Sequence, residues 1–315
     1  MKENKVSIFI PYNQTDNGEK LRLALRSIEK NCKFDYEVIL VGDCPDWVNK
    51  ETLVHINPKI PAAAEYQKAW NGINKLKFLL ENYEMSELLM TYDDIIFLKE
   101  VKYKDISKPI ALAQLPDSVR QLTGTSSAKW REVLQYTIDA LKRNNLPSLN
   151  FETHLPRLFN AEKLREMISL FGFQKRPYLF PTLYFNWLNP KQKPVVLAEI
   201  PNQKIKAGIY YPSDFEKYLP VLEEYTYLNW SEEFWAPKLE NVLLGLFPEQ
   251  SKYEKPAIRA EQGAVEEPPK DIPEPDIEEM TDEVEEPDVV EEHDIEESSA
   301  ESEEPNGTDS GNTET

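Results

Sequence analysis

Val6-Ser7-Ile8-Phe9-Ile10-Pro11-Tyr12-Asn13 opens the part of the chain that reads as folded. Residues 6–10 form a short apolar run of strand length, halted by Pro11-Tyr12-Asn13 and a polar loop to Gly18. Leu21, Ala24, Leu25 and Ile28 follow at the i, i+3, i+4, i+7 spacing of an amphipathic helix. Residues 36–41 are a second apolar strand, closed by Gly42-Asp43-Cys44-Pro45. Strand, helix and strand at this spacing make a βαβ unit, which requires a parallel sheet and a right-handed crossover. No G-x-G-x-x-G follows the first strand, so the fingerprint of a dinucleotide site is missing.

The pattern continues outward. Residues 53–56 read as a third strand. Tyr66, Ala69, Trp70, Ile73 and Leu80 mark a second long helix after Pro61-Ala62-Ala63-Ala64. Residues 88–91 are a fourth strand, and it runs directly into Tyr92-Asp93-Asp94 and a second apolar run, Ile95-Ile96-Phe97. Asn13, Asp43 and the Asp93–Asp94 pair thus all follow the C-terminal ends of successive strands, the edge at which open α/β sheets bind ligands. Adjacent carboxylates there repel unless protons or a cation compensate them, and a hard divalent metal is the usual cation. The competing reading is a tight turn between two hairpin strands, since Asp favours turns. Asp43 has a similar alternative, capping a short helix at 46–49, and Asn13 another, a turn after Pro11.

Further along, residues 110–113 read as a strand, and Trp130, Val133, Leu134, Ile138 and Leu141 give an amphipathic helix. In Asn150-Phe151-Glu152-Thr153-His154-Leu155-Pro156, an extended backbone would turn Glu152 and His154 to one face. His154 is otherwise a surface histidine ahead of a helix at 161–170. Residues 177–260 are rich in Pro, Tyr and Trp, with helical pieces at 214–223 and 235–247. Aromatics of this kind pack a core or stack on sugar rings.

Of the 56 acidic residues in the chain, 23 lie in 261–315, where Lys270 is the one Lys or Arg against 36 in total. That leaves 33 acidic and 35 basic residues in 1–260, so the formal charge of −20 belongs to the tail and describes no partner of the folded part. Past Tyr253, Pro, Glu and Ser dominate without a hydrophobic period, the composition of a disordered segment. The opening Met1-Lys2-Glu3-Asn4-Lys5 carries no signal-peptide pattern, and no apolar run approaches the length of a membrane span. Cys32 and Cys44 match no zinc or redox spacing and read as free thiols, which suits a reducing cytoplasm.

Residues 6–13 resemble the opening strand of GT-A-fold glycosyltransferases, an apolar run followed by Pro and then Asn. Asp43 matches the acid after the second strand that contacts the nucleotide base in such enzymes. Tyr92-Asp93-Asp94 resembles their metal-binding acidic motif and is closest to the Asn-Asp-Asp version of the Stealth-type sugar-phosphate transferases, with Tyr92 where Asn or another acid is common. Residues 150–156 are similar to the later His-containing region of that group. The resemblance covers residues 5–190 in patches.

It implies an α/β fold, a GT-A-like (Rossmann-like), mostly parallel sheet flanked by helices. Residues 1–190 would be the catalytic domain, 191–254 a helical, aromatic C-terminal lobe packed on it, and 255–315 a disordered acidic tail. The implied activity is metal-dependent transfer of a sugar from a nucleotide-sugar donor to an acceptor hydroxyl. The donor's nucleotide would lie near Pro11, Tyr12, Asn13 and Asp43. Mn²⁺ or Mg²⁺ would be held by Asp94 with Asp93 and His154, and Glu152 would serve as the base. Two alternatives stand beside it. One is a sugar-phosphate transferase. The other is a catalytically inactive assembly module, such as a bacteriophage uses, whose acidic tail docks a basic partner. No membrane span and no nucleic-acid partner are expected.

Overall fold

Both faces of the first strand are buried. Phe9 packs on one side of the sheet with Ile39, Val41, Leu88 and Met90, while Ile8, Ile10, Val38, Leu40 and Leu89 pack on the other. Side chains alternate along a strand, so a run that is apolar at every position needs cover on both faces, as parallel sheets have. In the computed structural model, residues 5–14, 17–59, 67–116, 128–173, 176–191, 193–200 and 203–256 are described, except for the side chains of 67–69. All of them fall within one compact unit, Met1–Ile258. The acidic tail and the 61–64 stretch lie outside the described residues, as does Tyr66.

The chain runs β1 (Val6–Tyr12), α1 (Glu19–Asn31), β2 (Tyr36–Gly42), β3 (Val54–Ile56), α2 (Gln67–Asn82), β4 (Glu87–Met90) and β5 (Ile95–Phe97). Then come α3 (Tyr103–Ile106), β6 (Ile110–Ala111), β7 (Ala113–Gln114), α4 (Ala128–Arg143), β8 (Leu149–Asn150), β9 (Arg157–Asn160), α5 (Ala161–Phe171) and α6 (Phe180–Leu188). The last part holds β10 (Val195–Val196), β11 (Lys206–Ile209), α7 (Pro212–Tyr218), β12 (Tyr227–Trp230) and α8 (Pro237–Leu246).

The main sheet has the order β3-β2-β1-β4-β9. Its first four strands are parallel, and β9 returns antiparallel to β4. The expected α/β class, a mostly parallel sheet flanked by helices, is therefore what the chain forms. A second sheet, β11-β12-β5, takes its first two strands from the C-terminal part and β5 from the run after the acidic pair. Helix α1 lies between the sheets: Leu21, Leu25 and Ile28 join the core of the first, Leu23 and Ala24 that of the second. α4, α5 and α6 contribute to the core on the Phe9 side of the main sheet, where Phe159 meets Tyr184 and Phe185 with ring centroids 4.9 and 5.2 Å apart.

Several local expectations change. β1 continues through Pro11 to Tyr12, because β4 stops pairing at Met90 opposite Phe9, so the N–H that proline lacks has no partner to miss. Residues 46–49 form a turn closed by Val48 N–H to Pro45 O (3.0 Å) instead of a helix, so Asp43 caps none there. The 110–113 run splits into β6 and β7, which pair with different partners. Helix α7 stops at Tyr218 and gives way to 3-10 turns over Leu219–Glu224 around Pro220. No described helix is long and apolar enough to cross a membrane. Cys32 and Cys44 are both free thiols, the first buried.

Candidate functional site

Strand order places the candidate site. The chain fills the sheet from β1 outward through β2 to β3, then returns to the other side of β1 with β4. The direction of winding thus reverses between β1 and β4, and a crevice opens beyond the C-terminal ends of such a pair. Asn13 follows β1 and Asp93–Asp94 follow β4, so the two flank that point. The acidic pair is not a hairpin turn, since β4 and β5 belong to different sheets; Ile95 N–H to Tyr92 O (3.3 Å) closes a bend that carries the chain from one sheet to the other.

On the β1 side the centre is Lys75, a residue with no place in the sequence reading. It projects from α2, is 6% exposed, and donates to Tyr12 O (2.5 Å) and Asn13 Oδ1 (2.7 Å). Burial holds its pKa down, while Asp43 and Asp93 pull it up. Gly42 makes this possible: with φ at +122°, a Cβ there would stand 2.0 Å from Tyr12 O and 2.4 Å from Lys75 Nζ. Asp43 is exposed, and its Oδ2 accepts from Gln14 N–H (2.8 Å), tying together the loops after β1 and β2. Asn13 is exposed and Pro11 partly so. The Tyr12 ring is buried in the core, so that residue brings only its backbone to the edge.

On the β4 side, Asp94 begins the run into β5, where Ile95 lies opposite Asn229 of β12. Its residue surface is partly exposed, but its carboxyl is crowded. That desolvation and the neighbouring Asp93 raise its pKa to about 7, against a hydrogen bond from Asn229. Asn229 Oδ1 accepts from Tyr210 Oη, and Lys206 Nζ bonds Tyr210 Oη (2.9 Å) and Thr153 O (2.8 Å). A glycine again admits the arrangement, since a Cβ on Gly208 would meet the Tyr210 ring at 2.4 Å. Burial lowers the Lys206 pKa to about 8; Asp94 raises it and Arg157 lowers it.

Glu152 and His154 do not share an extended face. His154 has φ +50°, which bends the backbone between them. Glu152 turns toward α6: Oε1 accepts from the Thr182 hydroxyl (3.0 Å), and Oε2 faces Arg157 Nη1 at 3.4 Å. Its carboxylate braces the segment after β8, where Thr182 also accepts from Phe151 N–H (3.0 Å). The His154 pKa falls to about 4 through desolvation and the positive charges of Lys206 and Arg157, although the residue as a whole is exposed.

The expected metal set can be tested on these neighbours. A divalent cation needs deprotonated donors and negative surroundings. His154 faces two cations. Asp93 and Asp43 lie within reach of Lys75's charge, and Asp94 lies within reach of Lys206's. Among the described residues, no group of three or more His, Cys, Asp or Glu side chains could hold a metal ion. Within the expected set, His154 is a poor third donor for Mn²⁺ or Mg²⁺ because it faces cations, and the Asp93 and Asp94 carboxylates share their surroundings with the protein's own lysines.

A cavity of about 430 Å³ lies elsewhere, between α1 and the segment after α8, and contains none of these residues.

No protein-family model and no curated protein matches the chain. Among solved structures, it is similar to the apo form of the glycosyltransferase GlyE of Streptococcus pneumoniae TIGR4, with 12% identity and a TM-score of 0.40 over 79% of this chain and 61% of that one. A second structure of GlyE from the same organism gives 10% identity and a TM-score of 0.37, over 78% and 61%. The chain thus spans less than two thirds of either neighbour's length.

Proposed function

We propose that the chain transfers a sugar from a nucleotide-sugar donor to an acceptor hydroxyl at the edge between β1 and β4. The observation that carries this reading is the position of Asp93–Asp94 at the reversal of strand order, opposite Asn13 and the exposed Asp43. The resemblance of residues 6–13 and 92–94 to glycosyltransferase motifs supports the substrate class. The donor's base lies by Pro11, Asn13 and Asp43, and its diphosphate crosses toward Asp94.

In the transfer, the acceptor oxygen bonds to the anomeric carbon as the bond from that carbon to the diphosphate oxygen breaks. The electron pair leaves on the diphosphate, and the acceptor's proton passes to the Asp94 carboxylate. A carboxyl with a pKa of about 7 suits a general base near neutral pH. Glu152, engaged with Thr182 and Arg157, positions the segment next to the site and takes no proton.

The test incubates the full chain with UDP-, GDP-, CDP- and ADP-sugars and follows nucleotide release with candidate acceptors and with water. We expect one nucleoside diphosphate to be released by the wild type and not by Asp94→Asn. Release of a nucleoside monophosphate would replace this reading with sugar-phosphate transfer. No turnover and no binding of any donor would favour a non-catalytic module.

A further inference from the structure

We propose that Lys206, instead of a divalent cation, is the positive group that receives the leaving diphosphate. The inference rests on the proposed transfer and deepens it by naming what neutralises the departing charge. Its ground is geometric. An ammonium has three N–H bonds. Among the described residues Lys206 spends two, on Thr153 O at 2.8 Å and Tyr210 Oη at 2.9 Å, which leaves one for a ligand oxygen. Tyr210 in turn donates to Asn229 Oδ1, and Asn229 lies opposite Ile95, the residue after Asp94, so the ladder holds the amine in register with the carboxylate.

Two features fix the amine in place, and a second cation stands beside it. Gly208 lets the Tyr210 ring lie back along β11, with Lys206 Nζ 5.3 Å from the ring centroid. The β11–β12–β5 ladder sets Asn229 opposite Ile95, next to Asp94. Arg157, 7% exposed, adds a second positive charge within reach of Lys206 and His154, and its Nε has no hydrogen-bond partner among the described residues. Preorganised cations aimed at developing negative charge stabilise a transition state without reorganising at the moment of reaction. At this edge the lysine also balances Asp94, which would otherwise call for a metal ion.

The step remains balanced. The bond from the anomeric carbon to the diphosphate oxygen breaks with its electron pair going to that oxygen. The Lys206 ammonium keeps its proton and supplies a hydrogen bond and charge to the same oxygen.

The experiment titrates the full chain with UDP, GDP, CDP and ADP by calorimetry, once in EDTA and once with Mn²⁺. We expect one nucleotide to bind with a Kd that agrees within about threefold in the two conditions. Lys206→Met should weaken it at least tenfold, and Lys206→Arg, which keeps the charge, should recover most of that loss. Lys206 also pins Thr153, so circular dichroism must show that Lys206→Met is folded; the comparison of EDTA with Mn²⁺ uses wild type and stands without the variant. Binding that requires Mn²⁺ overturns the inference and leaves the transfer reading intact. Metal-independent binding that a folded Lys206→Met retains also overturns it. No binding of any nucleotide in either condition overturns both.

Discussion

Two places in this molecule keep charge out of water, and they settle it differently. Where α1 meets the segment after α8, Arg26 donates from Nε to Glu254 Oε1 (2.7 Å) and from Nη2 to Oε2 (2.8 Å). Ser251 N–H adds a bond to Oε1 (2.9 Å), and the third Arg26 nitrogen reaches Phe247 O (3.0 Å). Burial works against the Glu254 charge, but these partners outweigh it and the pKa falls below its ordinary value. At the sheet edge burial wins, and Asp94 rises to about 7 beside Asp93. Two-pronged guanidinium pairing satisfies a carboxylate completely. The edge has single-point lysines, each admitted by a glycine, and leaves its charge unsettled. One region is built to hold the fold; the other is where we propose that the donor binds.

Substitutions should separate the two. Asp94→Asn should cut turnover by about 10²–10⁴-fold, the usual worth of a positioned base. It should leave Tm unchanged or higher at pH 8: an acid whose folded pKa is raised makes the fold less stable as pH climbs above its unfolded value, and the amide removes that penalty. Glu254→Gln should do the reverse. Breaking a buried ion pair costs about 3–5 kcal/mol, read by urea unfolding, while the folded fraction keeps its turnover. A large loss of stability in Asp94→Asn, or of turnover in folded Glu254→Gln, would erase the contrast.

Smaller effects sharpen it. Gly208→Ala forces the Tyr210 ring aside, at a cost of about 1–3 kcal/mol for overpacking, and should lower turnover by loosening Lys206. Turnover should follow a narrow bell in pH, rising as Asp94 ionises near 7 and falling as Lys206 loses its proton near 8. At lower pH, stability should follow Glu254. Its folded pKa is lowered, so its contribution is present above its ordinary value of 4.5 and fades as pH falls through the folded pKa.

The β1–α1–β2 unit, and the common strand edge reached by Asn13, Asp43 and Asp93–Asp94, were legible because both follow from local periodicity in a parallel sheet. The wall facing Asp94 was not. Lys206, Tyr210 and Asn229 arrive through the pairing of β12 with β5, a contact between residues far apart in sequence that no local pattern announces. Lys75 was hidden in α2, where a lysine between Ile73 and Leu76 reads as solvated surface. Faint signals existed: Asn229 interrupts the apolar run Tyr227-Leu228-Asn229-Trp230, and Gly208 stands two residues before Tyr210. The face shared by Glu152 and His154 failed because it assumed an extended backbone that His154 does not adopt.

The contrast itself is best tested by a ¹³C NMR titration of the side-chain carboxyls of the full chain, assigned through Asp94→Asn and Glu254→Gln. We expect Asp94 to titrate near 7 and Glu254 below 4.5 in the same sample. An Asp94 that titrates near 4, alongside Glu254, would mean that the edge settles its charge as fully as the anchor does, and the account of the site would fail.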